Sequence, residues 1–310
     1  MKYLFVLAFC CSGFLFSQNT FLNEEAWYLQ TQDSLRLYMY EFGQGDPVVV
    51  LHGGYGSEHS YMLDFLLPHQ ENHRFILFDQ RGSLRSPIPS KDLDRKISLE
   101  LLVEDLESIR KEMGIERMKI ISHSMGANYL YNYLEKYPDH VAEAVVISGF
   151  IPKWPDEEEM EIMMGTQVER QKFMQRPEIK EEMKKLELAE LGPQKKASYQ
   201  WKIQFSAGQI YHVEKWKKIK GLFFNPEINM RISPERSGVK FNFLDDIENH
   251  PYPITFIFGY HEFGDYGVKL HSRWLGEMEG VHLHILQEAG HAVWMDRPEE
   301  FAEILGKALE

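Results

Sequence analysis

The feature that most limits how this chain can fold is a series of short, continuous apolar runs, each stopped by glycine or a polar turn. They read "DPVVVLHGGYG" from position 46, "RFILFDQRG" from 74, "MKIISHSMG" from 118, "VAEAVVISGF" from 141, "PITFIFGY" from 253 and "VHLHILQEAGH" from 281. Runs of that length with no polar alternation are how strands read when both faces are buried. Between them lie stretches of helical period, such as Leu99 to Met113 with apolar residues at Leu99, Leu102, Val103, Leu106, Ile109 and Met113. Strands that alternate with helices build right-handed βαβ units and a mostly parallel sheet. Ahead of the first run, "WYLQTQDSLRLYMYEF" from Trp27 to Phe42 alternates apolar and polar residues around Asp33-Ser34, which predicts a β-hairpin.

One interval breaks the rhythm. Residues 151–250 carry no buried-strand run but many Glu, Lys, Met and Trp residues, so several amphipathic helices are expected there as a cap inserted into a core made of residues 18–150 and 251–310. The charged "DEEEMEIMM" and "EIKEEMKK" stretches read as solvated helix faces. Residues 1–17 place Lys2 before an apolar run from Tyr3 to Phe16, followed by Ser17, Gln18 and Asn19; this predicts a secretory signal cleaved after Ser17. The run is short for a membrane span and no later segment approaches about 20 apolar residues, so an exported protein, periplasmic or secreted and without stable membrane insertion, is expected.

Composition narrows the chemistry. Both cysteines, Cys10 and Cys11, fall inside the expected signal, which removes disulfides and thiol catalysis from the mature chain. Phe9 before Cys10 is bulky for the small-residue cleavage site of a lipoprotein anchor. A net charge of −13 disfavours nucleic acid as a partner and serves solubility. His282 and His284 stand two apart on one strand face, but no third ligand is placed, so no metal is expected, and no P-loop or dinucleotide fingerprint calls for a cofactor.

What remains is a nucleophile pattern. Ser124 follows an apolar run and precedes a helical stretch from Ala127 to Tyr137, within Ser122-His123-Ser124-Met125-Gly126. This is the G-x-S-x-G elbow with Ser122 in place of the first glycine, small flanks being needed where strand and helix approach closely. A serine hydroxyl needs a base, and the base an orienting acid, in the order Ser, acid, His along such a chain. His291 stands at the end of the last apolar run, and either Glu262 or Asp265, both just after "PITFIFG", could orient it. "HGGYG" at His52 to Gly56 closes an early strand and can turn backbone N–H groups toward an oxyanion, with the Met125 N–H as the partner donor. A binding protein that keeps the fold without the chemistry is the competing class, and the serine, the histidine and the glycine loop argue against it.

These residues together resemble the α/β-hydrolases over nearly all of the mature chain. "HGGYG", "FDQRGSLRS" and "SHSMG" are similar to the HGGPG, DQRGxGRS and GxSxG motifs of proline iminopeptidase-like serine peptidases. The resemblance implies an α/β-hydrolase fold with a helical cap, Ser124 as nucleophile, Glu262 in the acid slot, His291 as base, and Gly54 and Met125 as the oxyanion hole. It also implies a small-molecule or short-peptide substrate, most often an N-terminal residue to be removed. The chain departs from the pattern at Tyr55, Leu84 and Lys202, the last standing in "SYQWKIQF" where iminopeptidases resemble one another in a Trp-Glu pair. Lys202 would repel an amine there, so an esterase or amidase for uncharged substrates is the second expectation.

Overall fold

The computed structural model describes residues 20–221, 223–232 and 240–310, and the signal expected over residues 1–17 lies outside them. Eight strands form one sheet: β1 (Glu25–Gln30), β2 (Arg36–Gly43), β3 (Asp46–Leu51), β4 (His73–Phe78), β5 (Met118–His123), β6 (Val141–Ile147), β7 (Ile254–Gly259) and β8 (Val281–Leu286). Their order is β1-β2-β4-β3-β5-β6-β7-β8. The β1–β2 hairpin and its junction with β4 are antiparallel, and all other pairs are parallel. The hairpin turns at Thr31 to Leu35, where Ser34 takes a positive φ of 64°.

The unbroken apolar runs are explained by helices on both faces. Val49, Leu51, Ile76, Ile120, Val146 and Phe256 point to one side, against α1 (Leu99–Glu112) and α2 (Gly126–Lys136). Val48, Val50, Phe75, Ile121, Val145 and Ile257 point to the other, against the C-terminal helix Pro298–Leu309. The last strand departs from expectation: in β8 only Leu286 is buried and His282 is exposed, because β8 has a neighbour on one side alone. Among the described residues no helix is long and apolar enough to cross a membrane.

A buried ion pair joins the hairpin, the β4 turn and α1. Arg81, in "FDQRG", donates through Nε and a terminal nitrogen to both carboxylate oxygens of Asp105 at 2.6 Å, and also meets Asp33 at 3.2 Å and the Lys96 carbonyl at 2.7 Å. Arg81 and Asp105 are each 1% exposed, so neither charge has water as an alternative partner. Removing one member leaves the other stranded, at a cost of about 3–5 kcal/mol. Asp105→Asn is expected to lower unfolding free energy by about that amount in urea titrations, and Arg81→Lys to fail as a substitute because lysine lacks the planar fork.

Between β6 and β7 the chain leaves the sheet for helices α3 (Glu157–Met174), α4 (Pro177–Leu188) and α5 (Pro193–Trp201), a π-helical turn at Lys202–Ala207 and shorter pieces beyond. Of the three glutamates opening α3, Glu159 is not solvated. Its carboxylate completes a capping box with Asp156, pairs with Lys153 at 2.9 Å and accepts the Trp274 indole N–H at 2.7 Å, pinning the cap to a core helix. Burial by itself would raise the Glu159 pKa, but the Asp156 N–H, Lys153 and Trp274 hold the carboxylate down to about 2. A depressed acid contributes stability that is present above its ordinary pKa of 4.5 and is lost as pH falls toward 2. The urea midpoints of wild type and Glu159→Gln should therefore differ at neutral pH and converge near pH 2.

Candidate functional site

The parallel strands β5, β6, β7 and β8 end on the same edge, and their loops assemble the site. After β5 the chain turns sharply at Ser124, whose φ of +55° is left-handed, a conformation costly for a residue with a Cβ. The turn is held from three sides. The Ser124 N–H donates to the Ile147 carbonyl at 3.0 Å, and the Ser124 carbonyl accepts from the Ala127 and Phe150 N–H groups, each at 3.0 Å. A Cβ on Gly126 would lie 2.8 Å from the Leu51 carbonyl oxygen and 3.0 Å from that of His52, which explains the glycine. Ser122 fits at the other flank because its small, fully buried side chain faces the Val145 carbonyl at 3.5 Å.

Ser124 Oγ lies 2.9 Å from His291 Nε2, and His291 Nδ1 lies 2.7 Å from Glu262 Oε1. All three residues are buried. With the carboxylate accepting the Nδ1 proton, Nε2 presents its lone pair to the serine hydroxyl. The carboxylate that meets His291 is Glu262. Asp265, the other acid suggested by the sequence, turns away and accepts from the Leu270 N–H (3.0 Å), the His271 N–H (2.9 Å) and His271 Nδ1 (2.9 Å), fastening the start of the helix Lys269–Leu275.

The "HGGYG" loop packs directly on the serine: a Cβ on Gly53 would be 2.6 Å from Ser124 Cβ, and Gly54 follows with φ +69°. Met125 directly precedes α2, where the first N–H groups of a helix have no intrahelical acceptor. The departure at Tyr55 has a local reason, since its buried hydroxyl accepts from Asn128 Nδ2 at 3.0 Å.

Two lobes meet at Ser124 and His291. The first, a cleft of about 600 Å³ counted to its mouth, is walled by Gly54, Tyr61, His123, Trp294 and the cap residues Trp201, Phe205 and Lys202. The second, about 710 Å³ on the same measure, is walled by Met125, Phe150, Phe263 and the α3 residues Met163, Gln167 and Arg170. Lys202 donates to the Ile219 carbonyl at 2.6 Å, and burial lowers its pKa. Of the three glutamates that open α3, Glu157 and Glu158 are exposed and Glu159 is engaged as described, and none of the three lines either lobe; the acid of the first lobe among the described residues is Glu58, from the core. Tyr61, Trp294 and Glu58 of the first lobe and Ser148 of the second carried no sequence signal, because nothing in their local pattern reveals that separate loops bring them to the site.

The His282–His284 pair gathers no further ligand among the described residues. The grouping with ligand spacing there is Glu58, His59 and Asp79, but His59 Nδ1 is committed to Asp79 at 2.7 Å and both Glu58 oxygens accept from Ser60.

Residues 46–179 match the family model described as the alpha/beta hydrolase fold. The chain has the α/β-hydrolase fold. Its curated relatives include the proline iminopeptidase of Xylella fastidiosa (strain Temecula1), 36% identical over 126 residues that make up 40% of this chain and 39% of that protein. A proline iminopeptidase of Lactobacillus delbrueckii subsp. bulgaricus is 28% identical over 105 residues, 33% of this chain and 35% of that one. The chain thus spans under two-fifths of the length of the curated relatives it matches. Among solved structures, a proline iminopeptidase-related protein of Thermus thermophilus superposes with a TM-score of 0.62 at 22% identity, covering 93% of this chain and 98% of that one. The naproxen esterase of Bacillus subtilis superposes with a TM-score of 0.61 at 18% identity, over 93% and 92%. At these identities the two structures share the α/β-hydrolase fold with this chain.

If the aligned side chains act together, Ser124→Ala and His291→Ala should each abolish hydrolysis while circular dichroism and thermal melting stay close to wild type. Glu262→Gln should cost orders of magnitude in kcat, through loss of the histidine's orientation. Asp265→Asn should act mainly on stability, and its selective loss of activity in a folded protein would reverse the order of the two acids.

Proposed function

We propose that this chain is an exported serine hydrolase that works through an acyl-enzyme and removes an N-terminal residue, proline among them, from short peptides. The observation that carries the hydrolase reading is the alignment of Ser124 Oγ, His291 and Glu262 at 2.9 and 2.7 Å, where the two lobes meet. In the proposed reaction His291 Nε2 takes the Ser124 proton as Oγ attacks the substrate carbonyl, while Glu262 stabilises the imidazolium. The Gly54 and Met125 N–H groups receive the oxyanion. His291 then protonates the leaving amine and afterwards activates water to release the acyl group. No step calls for a metal or cofactor.

The peptide reading draws support from the iminopeptidase relatives and from the second lobe. Glu262 Oε2, Ser148 Oγ and His271 Nε2 are buried in its walls without a protein partner among the described residues. With His271 Nδ1 donating to Asp265, these atoms can accept from a substrate ammonium, whose burial needs such partners. A second reading, an esterase or amidase for uncharged substrates, is favoured by Lys202 and the aromatic wall of Trp201, Phe205 and Trp294 in the first lobe. Export rests on the sequence of residues 1–17.

Prolyl- and alanyl-naphthylamide, their N-acetylated forms and short p-nitrophenyl esters separate these readings. An aminopeptidase should turn over the free amides and lose most activity on the acetylated ones. Equal turnover of free and blocked amides, or activity confined to esters, would overturn the peptidase reading and leave the hydrolase one in place.

A further inference from the structure

Two side chains outside the Ser124–His291–Glu262 line connect the glycine loop to the nucleophile turn. Tyr61 Oη accepts the Gly53 backbone N–H at 2.6 Å and lies 2.7 Å from His123 Nδ1. Burial pushes the Tyr61 phenol up and the His123 imidazole well down from their ordinary values, so the phenol keeps its proton and the ring stays neutral. Tyr61 Oη accepts from Gly53 and still has its own proton to give, and the neutral His123 Nδ1, 2.7 Å away, is the acceptor we assign to it. The chain of bonds therefore runs from the residue before Gly54 to the residue before Ser124.

We propose that Tyr61 and His123 are positioning residues that set the distance between the glycine loop and Ser124, and so hold the oxyanion hole in register with the nucleophile. This rests on the serine-hydrolase reading above. Gly53 has no slack of its own: a Cβ there would be 2.9 Å from the His123 carbonyl oxygen and 3.0 Å from His123 Nδ1. The loop is thus pressed on Ser124 from one side, and the Tyr61 bond sets how far the next N–H can swing. Trp294 closes the arrangement, its ring 5.0 Å from His123 and 6.1 Å from Tyr61. A donor displaced by a fraction of an ångström misses the oxyanion while still permitting substrate to bind, because the strong bond exists only once charge has developed.

The test uses the wild type, Ser124→Ala, Tyr61→Phe, His123→Leu and His123→Asn. It measures p-nitrophenyl acetate hydrolysis, the rate of phosphonylation by a fluorophosphonate probe, and melting temperature. Phosphonylation of the wild type but not of Ser124→Ala tests the hydrolase reading by itself; without it, that reading and this inference both fail. Given labelling, Tyr61→Phe and His123→Leu should lower kcat and the phosphonylation rate together by about 10–100-fold, below the full loss of an oxyanion donor, with KM within about twofold. His123→Asn, which keeps an acceptor near the Nδ1 position, should recover a large part of both rates. The double variant Tyr61→Phe/His123→Leu should be no slower than either single one, since both break the same chain. Unchanged rates, a loss carried by KM, or equal loss in His123→Asn and His123→Leu would overturn the inference. Should Tyr61→Phe fail to fold, the two His123 variants decide it.

Discussion

The site depends on the left-handed turn at Ser124. A non-glycine residue at φ +55° is worth about 1–3 kcal/mol of strain, and it persists only because its surroundings over-determine it. Here β6 supplies an acceptor at Ile147 and a donor just beyond it at Phe150, α2 supplies the Ala127 N–H, and β3 presses its last carbonyls against Gly126. Those constraints come from adjacent parallel strands ending together, so the sheet topology is what raises the hydroxyl. A serine in relaxed backbone at the same sequence position would not reach His291.

The histidine is held with equal care, partly by the cap. The His291 N–H donates to the Gln209 carbonyl at 2.7 Å, and Asp296 accepts from the Gly290, Tyr211 and His212 N–H groups at 2.8–2.9 Å. One buried carboxylate therefore ties the loop carrying the proposed base to the cap segment beside it. Movement of that segment and the orientation of the imidazole are mechanically linked, which ties the cap to the Ser124–His291–Glu262 alignment as well as to the two lobes.

Much of the fold was legible because burial on both faces leaves a local trace. The unbroken apolar runs, the alternating hairpin and the 3.6-residue period of α1 each report an environment that every residue of the element shares. Where that environment is mixed the reading weakened. Strand β8 reads as buried but is an edge, and the glutamates opening α3 read as one solvated face although Glu159 is buried against Lys153 and Trp274. Arg81 illustrates the same limit: its motif was visible, but its partner Asp105 lies on a distant helix.

The sequence carried the element types, their order along the chain and the side chains proposed here for acyl transfer, because period, turn residues and motif spacing are local properties. It left Glu262 and Asp265 open, since both follow β7 within one loop and only the folded loop aims one carboxylate at His291 and the other at the backbone of a helix. It was silent on Tyr61, Trp294 and the two lobes, which come together from loops far apart in sequence. Contacts of that kind are made by packing, and packing is decided when strands, helices and cap close on one another.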